Sequence, residues 1–167
     1  MILLITLLIA VKACAVELYI DQFHGLQNRL VLSVEQPIDI QESLSGGVNV
    51  LQVNTGGVKL NMTLWEAAYR RYVEATTRSG IFYSFGIRTG VTEINHLSFG
   101  QEKDLAVMPF YDIGLKSKLS KSWYHVLRLE AGYLILYTRR ININSILGLQ
   151  FTPSFSFGYN LDSIYTN

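Results

Sequence analysis

The sequence lacks features that would place it in several large classes of protein. Cys14 is its only cysteine, which excludes an internal disulfide framework and a metal site built from several thiolates. Lys and Arg number 14 against 13 Asp and Glu, so there is no basic surface for nucleic acid. After residue 15, no apolar run reaches the roughly 20 residues of a transmembrane helix.

The first 15 residues differ from the rest of the chain. Residues 1–11 are apolar apart from Thr6, which suits the hydrophobic region of a signal peptide and is too short to span a membrane. The triplet 13–15, Ala-Cys-Ala, then offers small residues for signal peptidase. We therefore expect a signal peptide over residues 1–15 and a mature domain over residues 16–167, for which the patterns described next predict a β-barrel.

Two alternatives to this cleavage stay open. No Lys or Arg precedes the apolar run, unlike in a typical signal peptide. The run is also compatible with a buried first strand or helix. A lipoprotein would instead be cleaved before Cys14 and acylated there, although Lys12 fits such a site poorly.

A strict alternation over residues 145–161 is the clearest pattern in the chain. Its period of two predicts a β-strand far longer than the roughly 5–6 residues of a typical one. The even positions are small or polar apart from Ile146, whereas the odd positions are mostly large and apolar. A polar lumen with an apolar lipid-facing surface explains this arrangement, and a soluble sandwich would reverse the two faces. The expected lipid-facing residues are Leu147, Leu149, Phe151, Phe155, Phe157 and Tyr159.

Similar alternation elsewhere predicts an all-β, antiparallel, up-and-down barrel of about eight strands. Four charged residues, Arg88, Asp112, Arg128 and Glu130, fall on the polar face of their segments and are expected to pair across the lumen. Ser45-Gly46-Gly47, Thr55-Gly56-Gly57, Ser79-Gly80 and Thr89-Gly90 are expected turns. The expected strands are 16–23, 29–35, 46–54, 57–64, 80–89, 104–116, 122–138 and 145–161.

Residues 64–76 have a different pattern. Thr63 and Glu66 have the spacing of a helix capping box, and Trp65, Ala68 and Tyr69 follow at helical spacing. A short amphipathic helix at the membrane surface is the favoured interpretation, and two further strands are the alternative.

Residues 80–161 resemble small bacterial outer-membrane barrels of the eight-stranded type. Two stretches, Leu129-Glu130-Ala131-Gly132 and the run from Phe151 to Tyr159, are similar to the lipid A deacylases within that group. The resemblance implies a location in the bacterial outer membrane, contact with its lipid or lipopolysaccharide, and insertion by the barrel-assembly machinery.

The deacylase family uses a His-x-Ser pair supported by a carboxylate. His96, Ser98 and Glu102 are the weak catalytic candidates that this resemblance suggests, and an ordinary loop is the favoured interpretation of residues 95–101. His24 and His125 do not have the spacing of a metal site. No cofactor and no metal are expected.

Three functions remain after these observations. The favoured one is an integral barrel of the outer membrane with a structural, adhesive or narrow-pore role and no evident catalytic activity. The alternatives are a barrel that modifies lipid A and a soluble periplasmic barrel that binds an apolar ligand.

Cleavage after Ala15 is the first testable prediction, because the apolar run ends in small residues there. N-terminal sequencing of the exported protein should begin at Val16. A mature chain that begins at an acylated Cys14 would contradict it and indicate a lipoprotein.

Overall fold

The computed structural model describes residues 15–23, 27–55, 58–74, 79–96, 100–137 and 149–160. Within these residues the regular structure is β-strand, and every pairing is antiparallel. No helix in the described part of the chain is long and apolar enough to cross a membrane. The fold class expected from the sequence is therefore confirmed.

The strands are mostly longer than those of ordinary soluble sheets. In chain order they are β1 (Ala15–Phe23), β2 (Gln27–Pro37), β3 (Glu42–Thr55), β4 (Val58–Tyr72), β5 (Gly80–His96), β6 (Gly100–Lys118), β7 (Trp123–Tyr133), β8 (Ile135–Leu136) and β9 (Leu149–Asn160). The limits predicted for β2 to β6 fall short of these strands, mainly because weak alternation conceals the strand ends.

The strands close into a ring, because β9 pairs with β1. β7 and β8 pair with β6 in one register, so they are two parts of a single strand and the barrel has eight strands. The break between them lies beside Pro109 of β6, whose ring nitrogen has no hydrogen to donate to a ladder. Along the paired stretch, residues 15–19 with 156–160, closure leaves no exposed sheet edge.

The pairing register fixes the width of the barrel. A path around the ring that starts at Asn160 of β9 and steps from partner to partner returns to β9 at Gln150, ten residues away. For eight strands, with a rise of about 3.3 Å per residue and a spacing of about 4.8 Å, this stagger gives a strand tilt of about 40° and a backbone radius of about 8 Å. Such a barrel holds side chains inside and little else.

The two ends of the barrel are distinguished by their connections. At the near end, Ala15 pairs with Asn160, β2 meets β3, β4 meets β5, and β6 meets β7. At the far end, β3 meets β4 and β5 meets β6.

The helix predicted over residues 64–76 is wrong as far as Tyr72, because these residues belong to β4. The helical spacing combined side chains from both faces of a strand: Trp65 is exposed, whereas Ala68 and Tyr72 are buried. Glu66 and Arg70 are also buried and bind partners across the lumen, so these charges do not mark a solvated helix face. Residues 75–76 lie outside the described part of the chain.

Two of the predicted turns are also wrong, because Gly46-Gly47 lies within β3 and Thr89-Gly90 lies within β5. Gly47 and Gly90 allow close contact between neighbouring strands. A Cβ atom on Gly90 would lie 2.0 Å from the backbone oxygen of Thr63, whereas one on Gly46 would meet nothing closer than 3.7 Å. Gly80 opens β5 with a positive φ of 101°, as a turn requires, while Gly56 and Gly57 lie outside the described residues.

Gly90→Ala should destabilise the barrel by about 1–3 kcal/mol, because the strands must separate to admit the methyl group. Gly46→Ala is the matched control and should have little effect. Urea unfolding in detergent micelles, followed by tryptophan fluorescence, measures both variants. Equal unfolding midpoints for the two would contradict the packing seen at Gly90.

Candidate functional site

Charged side chains line the interior of the barrel, and large apolar side chains cover its exterior. The buried charged residues are Arg29, Glu35, Glu66, Arg70, Arg88, Asp112, Lys116, Arg128 and Glu130. On the outside, Trp65, Phe85, Leu129 and Phe151 are between 51% and 66% exposed. This arrangement is the reverse of that in a water-soluble domain.

Arg88 of β5 is at the centre of the lumen. Its two terminal nitrogens donate to the two carboxylate oxygens of Glu130 at 2.5 and 2.6 Å, a paired geometry that suits the planar guanidinium. Its Nε donates to Glu66 at 2.7 Å, and the guanidinium carbon lies 3.9 Å from the ring centre of Phe110.

Arg29 and Asn49 extend this network to β2 and β3. Arg29 donates to Glu130 at 3.3 and 3.5 Å and to the side-chain oxygen of Asn49 at 2.9 and 3.2 Å. Asn49 in turn donates to Glu66 at 3.0 Å. Two cations and two anions thus neutralise one another, which offsets the cost of burying them. We call Arg29, Asn49, Glu66, Arg88 and Glu130 the central network.

A second cluster surrounds Glu35 at the near end. Its carboxylate accepts hydrogen bonds from Ser43 at 2.6 Å, Tyr72 at 2.7 Å, Arg70 at 2.8 Å and Lys116 at 2.9 Å. These five residues form the Glu35 cluster. Since its members come from β2, β3, β4 and β6, the cluster connects four strands across the near mouth of the barrel.

Aromatic rings flank both cations of the Glu35 cluster. Arg70 lies 4.4 Å from the ring centre of Phe82, and Lys116 lies 4.1 Å from that of Tyr124. Cation–π contacts of this kind are strongest where water is excluded. The near mouth is thereby filled with side chains.

Between these clusters, Arg128 lies 3.5 Å from Asp112, and Ser84 donates to the same carboxylate. The sequence predicted that Arg88, Asp112, Arg128 and Glu130 would face the lumen and pair there. The structure confirms this prediction.

The far end of the lumen is apolar. Its buried cluster consists of Leu51, Val53, Leu60, Met62, Leu64, Ile94, Ala106, Met108, Leu134 and Leu136. Alternation over residues 57–64 correctly predicted a strand, but the apolar face of that strand points inward, whereas the polar Lys59 and Thr63 face outward and are exposed.

Little free space lies beside the central network. The cavity beside the central network has a volume of about 10 Å³ and is bordered by Arg29, Leu64, Met108 and Gln150. A volume of this size holds about one water molecule. Side chains therefore fill the middle of the lumen, around the central network.

The residues expected to face lipid are on the outer side of β9 wherever they are described. Leu149, Phe151, Phe155 and Phe157 are between 42% and 66% exposed, and Tyr159 is partly exposed. Leu147 lies outside the described residues. Ser154 and Ser156, on the other face, are buried.

His96 and Glu102, two of the catalytic candidates, lie at the far end. His96 is the last residue of β5, so the expected loop does not include it, and Ser98 lies outside the described residues. Glu102 belongs to β6, where it pairs with Ile94. The described residues contain no group of three or more His, Cys, Asp or Glu side chains able to hold a metal.

Sequence reasoning missed Arg29, Glu35, Glu66 and Arg70 as lumen residues. The alternation of β2 and β3 is weak in the sequence, and β4 resembled a helix. Glu66, Ala68 and Arg70 occupy alternate positions of β4. This alternation of charged and small residues was the available signal for a face that points into the lumen.

No family model matches the sequence, and no curated protein matches it. Among solved structures, the chain is similar to the crystal structure of the N-terminal β-barrel domain of Pseudomonas aeruginosa OprF, with a TM-score of 0.54 and 15% sequence identity. The match covers 90% of this chain and 98% of that one. At this level of identity, the likeness establishes a shared barrel fold.

Glu130→Gln should lower the free energy of unfolding by about 3–5 kcal/mol, because Arg88 and Arg29 then share a neutral partner in a buried site. Glu93→Gln is the matched control, since Glu93 pairs with the exposed Lys103 at 2.8 Å, and its effect should be small. Urea titration of both variants in micelles measures the difference. Similar losses for the two variants would contradict a central role for Glu130.

Proposed function

We propose that the chain is an integral protein of the bacterial outer membrane. Its sealed barrel anchors the protein in the membrane and exposes the far end of the barrel at the surface. The observation that carries this proposal is the belt of exposed apolar side chains around the outside of the barrel, such as Phe85, Leu129 and Phe151, which we call the outer apolar band. On β9 the band runs from Leu149 to Tyr159. Ten residues at a tilt of about 40° span about 25 Å along the barrel axis, which is the height of the apolar band in known membrane barrels.

Aromatic residues at the near end support a membrane location. Trp123 and Tyr159 have ring centres 5.0 Å apart, and His125 lies 5.9 Å from Phe155. Amphipathic rings of this kind collect where acyl chains meet headgroups. A soluble barrel binding an apolar ligand would instead need a lined cavity inside and a polar exterior, and the described residues have the opposite arrangement.

The filled lumen favours an anchoring and presenting role over a pore. The Glu35 cluster fills the near mouth, the central network crosses the middle, and the apolar cluster fills the far end. Catalysis is not part of this proposal, and Glu102, one of the candidates, lies within β6, where it pairs with Ile94. Contacts with lipopolysaccharide and insertion by the barrel-assembly machinery belong to the proposal as the consequences of a membrane barrel.

The hairpins at the far end provide a polar surface beyond the apolar band. On β3 and β4, Gln52 donates to Asn61 at 3.0 Å. On β5 and β6, Lys103 donates to Glu93, and this hydrogen bond raises the pKa of the lysine. These side chains suit water and sugar headgroups rather than acyl chains.

Leu129→Arg tests the membrane location directly. Leu129 is 51% exposed near the middle of the band, so in lipid the arginine should cost about 2–4 kcal/mol of unfolding free energy. The same change at Asn95 on the far-end hairpin should cost little. Urea unfolding from phosphatidylcholine vesicles measures both, and resistance of the wild type to an alkaline carbonate wash is the independent check. Equal effects at the two sites, with release by carbonate, would overturn the proposal.

The sealed lumen predicts that the protein does not conduct ions. Planar lipid bilayers containing the folded wild type should show no stepwise current. A shift in gel mobility on boiling verifies that the same preparation holds closed barrels. Regular conductance steps from such a preparation would show that the lumen opens, and would restore the pore interpretation.

A further inference from the structure

The outer apolar band is uneven between opposite sides of the barrel. β4 and β7 lie on different sides of the ring, and their registers with the stagger of ten place Lys59 level with Tyr137, Asn61 with Ile135, and Thr63 with Tyr133, each pair within about 1 Å along the axis. At all three levels the β4 side chain is polar and its counterpart on the β7–β8 strand is apolar or aromatic.

The exposed side chains extend this contrast to the neighbouring strands. On β7 and beyond, Tyr133 is 49% exposed and Tyr137 is 60% exposed, and Leu149 of the adjacent β9 is 64% exposed. On β4 the last large apolar side chain toward the far end is Trp65, at 54%. The apolar surface therefore reaches closer to the far end on the β7–β9 side than on the β3–β4 side.

At the near end the connection on the β2–β3 side carries more exposed aliphatic side chains than the one opposite it. The connection 38–41 between β2 and β3 exposes Ile38 and Ile40, at 56% and 61%. The connection 119–122, four strands away on the opposite side of the ring, exposes one aliphatic residue, Leu119, followed by the exposed Ser120 and Lys121. The amphipathic Trp123, 51% exposed, then begins β7.

A rigid tilt accounts for opposite displacements at the two ends. Local thinning of the bilayer would shorten the band on one side at both ends, and a protein partner would extend it at one end only. A tilt shifts both edges of the apolar band toward the far end on one side of the barrel and toward the near end on the other. The exposed side chains show this pattern. Lipid is the occupant of the extra apolar surface because this surface is continuous with the band.

We infer that the barrel lies tilted in the membrane, with the far half of the β7–β9 side immersed in acyl chains and the β2–β3 connection dipping into the opposite interface. The inference rests on the proposed membrane location. A tilt of roughly 15° across a barrel about 20 Å wide moves its two sides apart in depth by about 5 Å. The polar outer face of the β3–β4 hairpin is thereby lifted clear of the membrane.

Spin labels at matched levels test the tilt. In a Cys14→Ser background, single variants Asn61→Cys, Ile135→Cys and Leu129→Cys are labelled and inserted into dimyristoylphosphatidylcholine vesicles. Relative accessibility to oxygen and to a water-soluble nickel chelate reports depth. We expect the label at position 135 to lie about 5 Å deeper than the label at position 61, with position 129 deeper than both. Equal depths at 61 and 135 would overturn the tilt while leaving insertion intact.

A second pair of variants tests whether the uneven apolar band, rather than the labelled positions themselves, determines the depth of the label. Adding Asn61→Leu and Thr63→Leu to the β4 side levels the band, so the label at 135 should move toward the surface, whereas Asn61→Ser with Thr63→Ser should leave its depth unchanged. No movement in the leucine variant would contradict the inference. Exposure of position 129 to the nickel chelate would show failure of insertion itself, and oxidative cross-linking through Ile135→Cys would assign this side to a second copy instead.

Discussion

Closure of the backbone ladder in a staggered ring is the constraint on which the rest of the structure depends. A stagger of ten residues over eight strands fixes a radius of about 8 Å, so side chains from opposite walls meet at the axis. Polar residues that face inward then have no water to bind, and each must find a partner on another strand. The central network and the Glu35 cluster are the consequence of this narrow space, and so is the absence of a wide channel among the described residues.

The fold was predictable wherever each face of a strand had one chemical character. β9 alternates aromatic residues with serine and glycine, and β5 to β7 place Arg88, Asp112 and Glu130 on one face, so both strand and orientation could be inferred. Prediction failed at β4, whose inward-facing side chains change character along the strand. They are apolar toward the far end of the barrel and ionic toward the near end. Periodicity measures the spacing of side chains and carries no information about which partner lies across the lumen.

The membrane-facing residues and the lumen residues differ in how far sequence alone can identify them. Exposure of Phe151 or Leu129 follows from the parity of its own strand, which is a local property. The bond between Arg29 and Glu130 joins residues 101 positions apart, and it exists because closure brings β2 opposite β7. A contact of this kind depends on the register of every strand between the two residues. No local sequence pattern contains the combined effect of those registers.

The same ionic residues also explain why one register is selected. In a strand, a slip of one residue turns every side chain to the other face. For β5 such a slip would expose Arg88 to lipid, at a cost of about 2–4 kcal/mol near the bilayer midplane, and would leave Glu66 and Glu130 without their principal cation. The slip would also bring Ile87 into the ionic lumen, where it offers no hydrogen bond. Because the central network takes side chains from β2, β3, β4, β5 and β7, its complete pairing requires all of these strands to be in register at once.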